Sequence, residues 1–171
     1  RIEAKAREIE EDKLDAVLGN INKIKTDAKA EIAKNTDPEV LETIAENAIF
    51  DIQKEFDVQS ATDAAEKQKA AINSDTVLTD AQKAALVAKV DALITPTVDS
   101  LRTAESVEVK DTALADFNTA LASIASETAT KSAAMRTIQS KLAATNDTIG
   151  AQDDLSDEER AEYVREAELA Y

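Results

Sequence analysis

Cysteine and histidine are both absent from this chain. Without cysteine there are no disulfides, no zinc–thiolate sites and no thiol nucleophiles. Without histidine, the commonest general base near neutral pH and the imidazole metal ligand are missing too. Glycine occurs only at 19 and 150, 131 positions apart, which excludes a glycine-rich phosphate loop. Serines are numerous, but neither G-x-S-x-G nor S-x-x-K is present to activate one. No run of about 18 apolar residues is available to cross a membrane. The chain opens at Arg1 with no signal peptide and reads as an excised fragment, with any export signal or anchor outside it. Lack of cysteine suits a secreted protein that must fold without mispairing.

Positive charge is also scarce. Lys and Arg number 20 against 35 Asp and Glu, giving a net charge of −15. That balance opposes nucleic acid, where affinity comes from cationic side chains on phosphates. It equally opposes docking on anionic lipid. Prolines are limited to Pro38 and Pro96, and aromatics to Phe50, Phe56, Phe117, Tyr163 and Tyr171. What remains is mostly Ala, Leu, Ile, Glu, Lys and Gln, which are strong helix formers. A core without large aromatic rings fits a slim bundle better than a thick globule.

Start and stop signals divide the chain into helices. The first is expected from about Ile2 to Lys34, with Ile9, Leu14, Val17, Ile21, Ile24 and Ile32 near helical spacing. Asp37 can cap the second, with Pro38 at its first position, where a missing N–H costs nothing. That helix should run to about Asn73, with a weak point at residues 57–63, where Val, Ser and Thr are mediocre helix formers. Thr79 with Gln82, and Ser156 with Glu159, have capping-box spacing. A third helix is expected from Asp80 to Ala104, kinked or broken near Thr95 by Pro96. Ser106 can cap a fourth reaching about Asn146, followed by a loop and a last helix from about Asp157.

Aligned by these boundaries, the chain repeats. "LTDAQKAALVAKVDAL" at Leu78–Leu93 and "LSDEERAEYVREAELA" at Leu155–Ala170 share their order of residue types. At an offset of 69, Val109, Ala113, Phe117 and Leu121 fall on Val40, Ile44, Ala48 and Ile52, and Leu86 and Val90 on Val17 and Ile21. At an offset of 77, Leu78 falls on Leu155, Val87 on Val164 and Ile72 on Ile149. The second unit thus has about eight extra residues, near two helical turns, so its apolar face is nearly preserved. The units lie at 9–77 and 78–154. Residues 1–8 read as a lead-in, and 155–171 as the start of a third, truncated unit.

No catalytic, cofactor or metal site emerges from the residues. Paired acids need a cleft that raises one pKa, and Glu3–Arg7, Asp63–Lys67 and Glu127–Lys131 read instead as i,i+4 pairs on solvated faces. The acidic stretch 153–159, "DDLSDEE", lacks the alternating pattern of a calcium loop and suits a helix N-terminus. Phe50, Phe56, Phe117 and Met135 are core residues by their spacing. An apolar groove for a ligand is the alternative reading of the four.

The run "LTDAQKAALVAKVDAL" followed by "AESVEVKDTALADFNTAL" resembles the alanine-rich helical repeats, long catalogued as a domain of unknown function, of Gram-positive cell-wall-anchored surface proteins. The staphylococcal matrix-binding homologue proteins and adhesins of lactobacilli and streptococci carry such arrays. The matching residues are Leu78-Thr79-Asp80, Lys89-Val90-Asp91, Val109 and Leu155-Ser156-Asp157. Pro96 departs from the pattern, as do Ala48 and Phe117 where glycine is frequent. The resemblance implies an extracellular stalk that holds a binding region away from the cell wall, and no catalytic residues.

The expected fold is all-α: elongated tandem helical repeats stacked as three-helix bundles of spectrin-like connectivity. Alternating helices of about 25 and 36–41 residues, at about 1.5 Å per residue, by themselves give four to six helices per cross-section. The shortage of large side chains favours three, which requires a bend or break in the long helix. A monomeric, non-enzymatic spacer is therefore expected, its partners being neighbouring repeats. A module binding a host extracellular protein is the alternative, marked by an exposed cluster at Phe50 or Tyr171.

Overall fold

The computed structural model describes residues 11–170. Ile2, Ile9, the Glu3–Arg7 pair, the lead-in at 1–8 and Tyr171 lie outside them. Five helices account for 88% of the described residues, among which there is no strand. They are α1 (Glu11–Ile32), α2 (Pro38–Ser74), α3 (Asp80–Thr103), α4 (Val107–Gly150) and α5 (Asp157–Ala170).

The helix starts follow the capping chemistry. The Asp37 carboxylate accepts from the Glu39 N–H at 2.9 Å, with Pro38 at the first helical position. Thr79 and Gln82 form a reciprocal box: the Gln82 N–H donates to Thr79 Oγ1 at 3.2 Å, and the Thr79 N–H to Gln82 Oε1 at 3.0 Å. Ser156 and Glu159 repeat it at 3.3 and 2.9 Å. Ser106 Oγ accepts from the Val109 N–H at 3.3 Å.

Two expected interruptions are absent. α2 is continuous through 57–63, the segment assigned a weak point. Helix propensity is overridden there by burial: Phe56, Asp57, Val58, Ala61, Asp63 and Ala65 are all buried. Thr62 returns its hydroxyl to the Val58 carbonyl at 2.9 Å, so its side chain does not compete with the helix. α3 likewise continues through Pro96. The carbonyl left without its donor belongs to Ala92, on the exposed side of the helix, where water can satisfy it. α4 also extends past Asn146 to Gly150, so the following loop starts at residue 151.

Side-chain pairs define the layout. α1 lies along α2, with Lys13 bonding Asp63 at 2.8 Å and Glu66, and Asn20 bonding Glu55 at 2.7 Å. α3 returns antiparallel: Lys69 reaches Asp91 at 2.9 Å, and Lys54 reaches the Arg102 and Ala104 carbonyls at 3.2 and 3.5 Å. Those carbonyls belong to the end of α3, where a cation is favourable. α4 runs parallel to α2, with Lys110 on Asp57 at 2.5 Å and Ser132 on Asp75 at 2.6 Å. α5 packs on the far part of α4. Between residues 54 and 63, α2 therefore meets α1, α3 and α4 at once. Four helices meet at this level, where a uniform section of three was expected.

Ile72, Leu86, Val90 and Leu101 form the most deeply buried part of the core, joined by Val58, Ala61, Ala65, Phe117 and Ile124. The molecule is long. α2 from residue 38 to 75 and α4 from 132 to 150, placed end to end at about 1.5 Å per residue, extend about 80 Å. Its accessible surface is 11168 Å². A compact monomer of the same 18.4 kDa exposes roughly 8,200 Å².

The Lys110–Asp57 pair is buried on both sides, at 7% and 4% side-chain exposure. Burial pulls the Lys110 ammonium down, but its bonds to Asp111 and Asp57 outweigh this and hold it above the ordinary lysine value. Removing one member strands a buried charge. By the repeat offsets, Leu41 stands in place of Lys110 and Ala134 in place of Asp57. In urea unfolding, Asp57→Ala alone is expected to destabilise by about 3–5 kcal/mol, while the double variant Asp57→Ala/Lys110→Leu is neutral or more stable than wild type. A double variant as unstable as the single one would refute this assignment.

Candidate binding surfaces

Two grooves of the same construction recur at the repeat offset. One, between α1 and α2, has Ile24, Ala28, Ile44 and Ala48 on its floor and Asp27, Glu31 and Asp51 along its rim. The other, between α3 and α4, places Leu93, Thr97, Ala113 and Phe117 at the matching positions, with Pro96, Ser100 and Ala120 in place of the acids. Pro96 thus lines a groove wall, which explains its exposure on an unbroken helix. The two surfaces share a shape and differ in charge. Neither gathers convergent polar groups around a reacting atom.

A third groove lies where α2 passes the start of α4, lined by Glu46, Asn47, Ile49, Phe50, Gln53 and Val107. Ile49 is 48% and Val107 53% exposed. Phe50 is half-buried, and Lys54 Nζ sits 4.9 Å from its ring centroid while bonding Asp51 at 2.7 Å. The four residues read from spacing as core therefore separate. Phe56 and Phe117 are buried, Met135 packs partly buried against the core, and Phe50 opens onto this groove.

The acids also redistribute. Glu127 pairs with Lys131 at 3.6 Å, as its spacing implies, and with Lys89 of α3 at 2.6 Å. The Lys89 bond is the main cause of its lowered pKa. Asp63 does not serve a solvated Asp63–Lys67 face; it is buried, taking Lys13 and the Gln59 amide at 2.8 Å. In the stretch 153–159, Glu159 is committed to the Ser156 cap. The Ser156 N–H, then its hydroxyl, holds the Glu159 carboxyl below its usual range. Among the described residues no group of three or more acids, His or Cys is placed to hold a metal ion.

Asp75 is the polar centre missed from sequence. One oxygen accepts the Val77 and Leu78 N–H groups at 2.9 and 3.0 Å, and the other accepts the Ser132 hydroxyl. It ties the α2–α3 turn to α4, and the Ser132 bond, then the Val77 N–H, lowers its pKa. Asp after a helix end was a legible turn signal; the contact with Ser132, far along the chain, was not.

Comparison with family models, with curated proteins and with solved structures gives no match for the chain.

Two outcomes are expected. Asp75, Glu127 and Glu159 all have folded pKa values below their ordinary ones, so their contribution to stability is complete above about pH 4.5. It is lost as pH falls through the lowered folded values. Asp75→Asn should therefore weaken the fold at neutral pH and flatten the acid limb of its stability curve; an unchanged limb would discount this carboxylate. EDTA should leave the melting temperature unchanged, and a shift of several degrees would reveal a cation site, with residues 153–159 the first place to look.

Proposed function

We propose that the chain is a structural stalk segment of a bacterial surface adhesin, projecting a binding region from the cell wall. It is built from repeats at 9–77 and 78–154, with the start of a third at 155–171. In this reading each unit is a three-helix bundle of spectrin-like connectivity: the second half of one long helix, a short helix, and the first half of the next long helix. Neighbouring repeats are then the principal partners, the location is extracellular, and no catalysis is involved. The observation that supports it most is the dual packing of α2, whose first half lies with α1 and whose second half lies with α3 and α4. Units joined this way have no flexible linker, and length grows with copy number. The net charge of −15 suits long arrays that must stay soluble and apart.

A second reading, a helical module binding a host extracellular protein, draws support from the exposed Ile49 and Val107 beside Phe50. Small-angle scattering on dilute protein separates the two. The stalk requires a rod about 80 Å long; a nearly spherical particle would exclude it and favour a compact binding module.

A further inference from the structure

Equivalent positions are closed in the middle of the molecule and open at its two ends. Leu101 is 0% exposed, whereas Ile32, its counterpart in the first unit, is 40% exposed. Val90 and Lys110 are buried, and their counterparts Ile21 and Leu41 are only half-buried. In the middle, the second half of α2 lies over α3 and α4; the seam between α1 and the first half of α2 stays open to solvent. The other end shows the complementary gap. Leu86 is 1% exposed, but Tyr163, its counterpart in the third unit, is 48% exposed. Ala65 and Ile72 are buried, while Leu142 and Ile149 are half-buried. Here the missing element is the first half of a long helix, the part α4 plays over α2 and α3.

Each seam thus lacks the half-helix that the other end possesses. We propose that a second copy of the chain docks head to tail, the α4–α5 seam of one molecule against the α1–α2 seam of the next. The joint contains four helices, as does the level of α2 where α1, α3 and α4 meet. Its occupant is argued from the internal packing: α4 beyond residue 132 offers Ile138, Leu142 and Ile149 to a seam whose counterpart receives Ala61, Ala65 and Ile72. Because the two surfaces differ, association is heterologous and open-ended, forming chains of molecules instead of closed pairs. This proposal rests on the repeat reading above and replaces the monomer expected from sequence at high concentration. A net charge of −15 on each copy opposes contact, and salt screens it, with a Debye length of about 10 Å at 0.1 M.

Sedimentation equilibrium of the full chain over rising concentration and salt tests it, with Ile32→Lys closing one seam and Tyr163→Glu the other. Both side chains are exposed, and circular dichroism checks that each variant keeps its helices. Wild type should grow beyond the mass of two chains, and more so in high salt. Each variant alone should stay a monomer. Their equimolar mixture should give a species of two chains and nothing larger, since one variant keeps the α4–α5 seam and the other the α1–α2 seam. A wild type that remains monomeric throughout overturns the docking. So does self-association of either variant alone, which would show a joint between like seams. A rod by scattering that never associates leaves the stalk reading standing and defeats only this one. A compact particle would defeat the stalk reading instead.

Discussion

The middle of α2 is the place on which the rest of the molecule depends, because it is enclosed on nearly every side. Phe56, Asp57 and Val58 are consecutive residues, and all three are buried. A helix turns about 100° per residue, so three buried neighbours in a row cannot face a single partner. The enclosure comes from α1, α3 and α4 together, and each of those helices has its deepest contacts there or just beyond. A chain with three phenylalanines and no tryptophan has few large side chains with which to fill a core. It gains burial by bringing more helices to one level, where alanines such as Ala61 and Ala65 reach 1% and 2% exposure.

Polar side chains serve this enclosure as register marks. Apolar seams of Ala, Val and Ile tolerate sliding by a turn, since one small residue replaces another at little cost. Lys110 on Asp57 and Ser132 on Asp75 fix α4 against α2 at two levels. Lys54 fixes the end of α3 through the Arg102 and Ala104 carbonyls. A buried ion pair is weak evidence for stability, and fixing a register is its best-attested use. The surplus of negative charge, by contrast, lies mainly on the outside, where isolated pairs such as Lys23–Asp27 add little.

Much of this architecture was legible in the sequence because it is local. Asp37-Pro38, Thr79 with Gln82 and Ser156 with Glu159 announce helix starts over a single turn, and the structure places helices there. The expected break at 57–63 failed for the opposite reason. Propensity describes a helix in water, and this segment is the least hydrated part of the chain. Asp63 was misread as half of a surface pair for the same cause: its partner, Lys13, lies on another helix, far away in sequence. The grooves were half-visible. Their positions recur at the repeat offset, but which sides of the helices stay open depends on the path of the third helix. Lys110 could have been found, since a lysine standing in the register of Leu41 interrupts an otherwise apolar alignment.

Continuity of α2 through 57–63 also has a mechanical meaning. A linker or kink at that point would let one half of the molecule swing against the other, as hinged domains do. A single unbroken helix held on several sides has no such joint, so bending must strain helical hydrogen bonds and side-chain packing together. Pull on the two ends of the molecule, and the load passes along the parallel α2 and α4 as sliding between them. The interlocked contacts around Asp57 and Asp75 then resist in parallel, before any turn is straightened. Stiffness and resistance to tension thus come from the same short stretch of backbone.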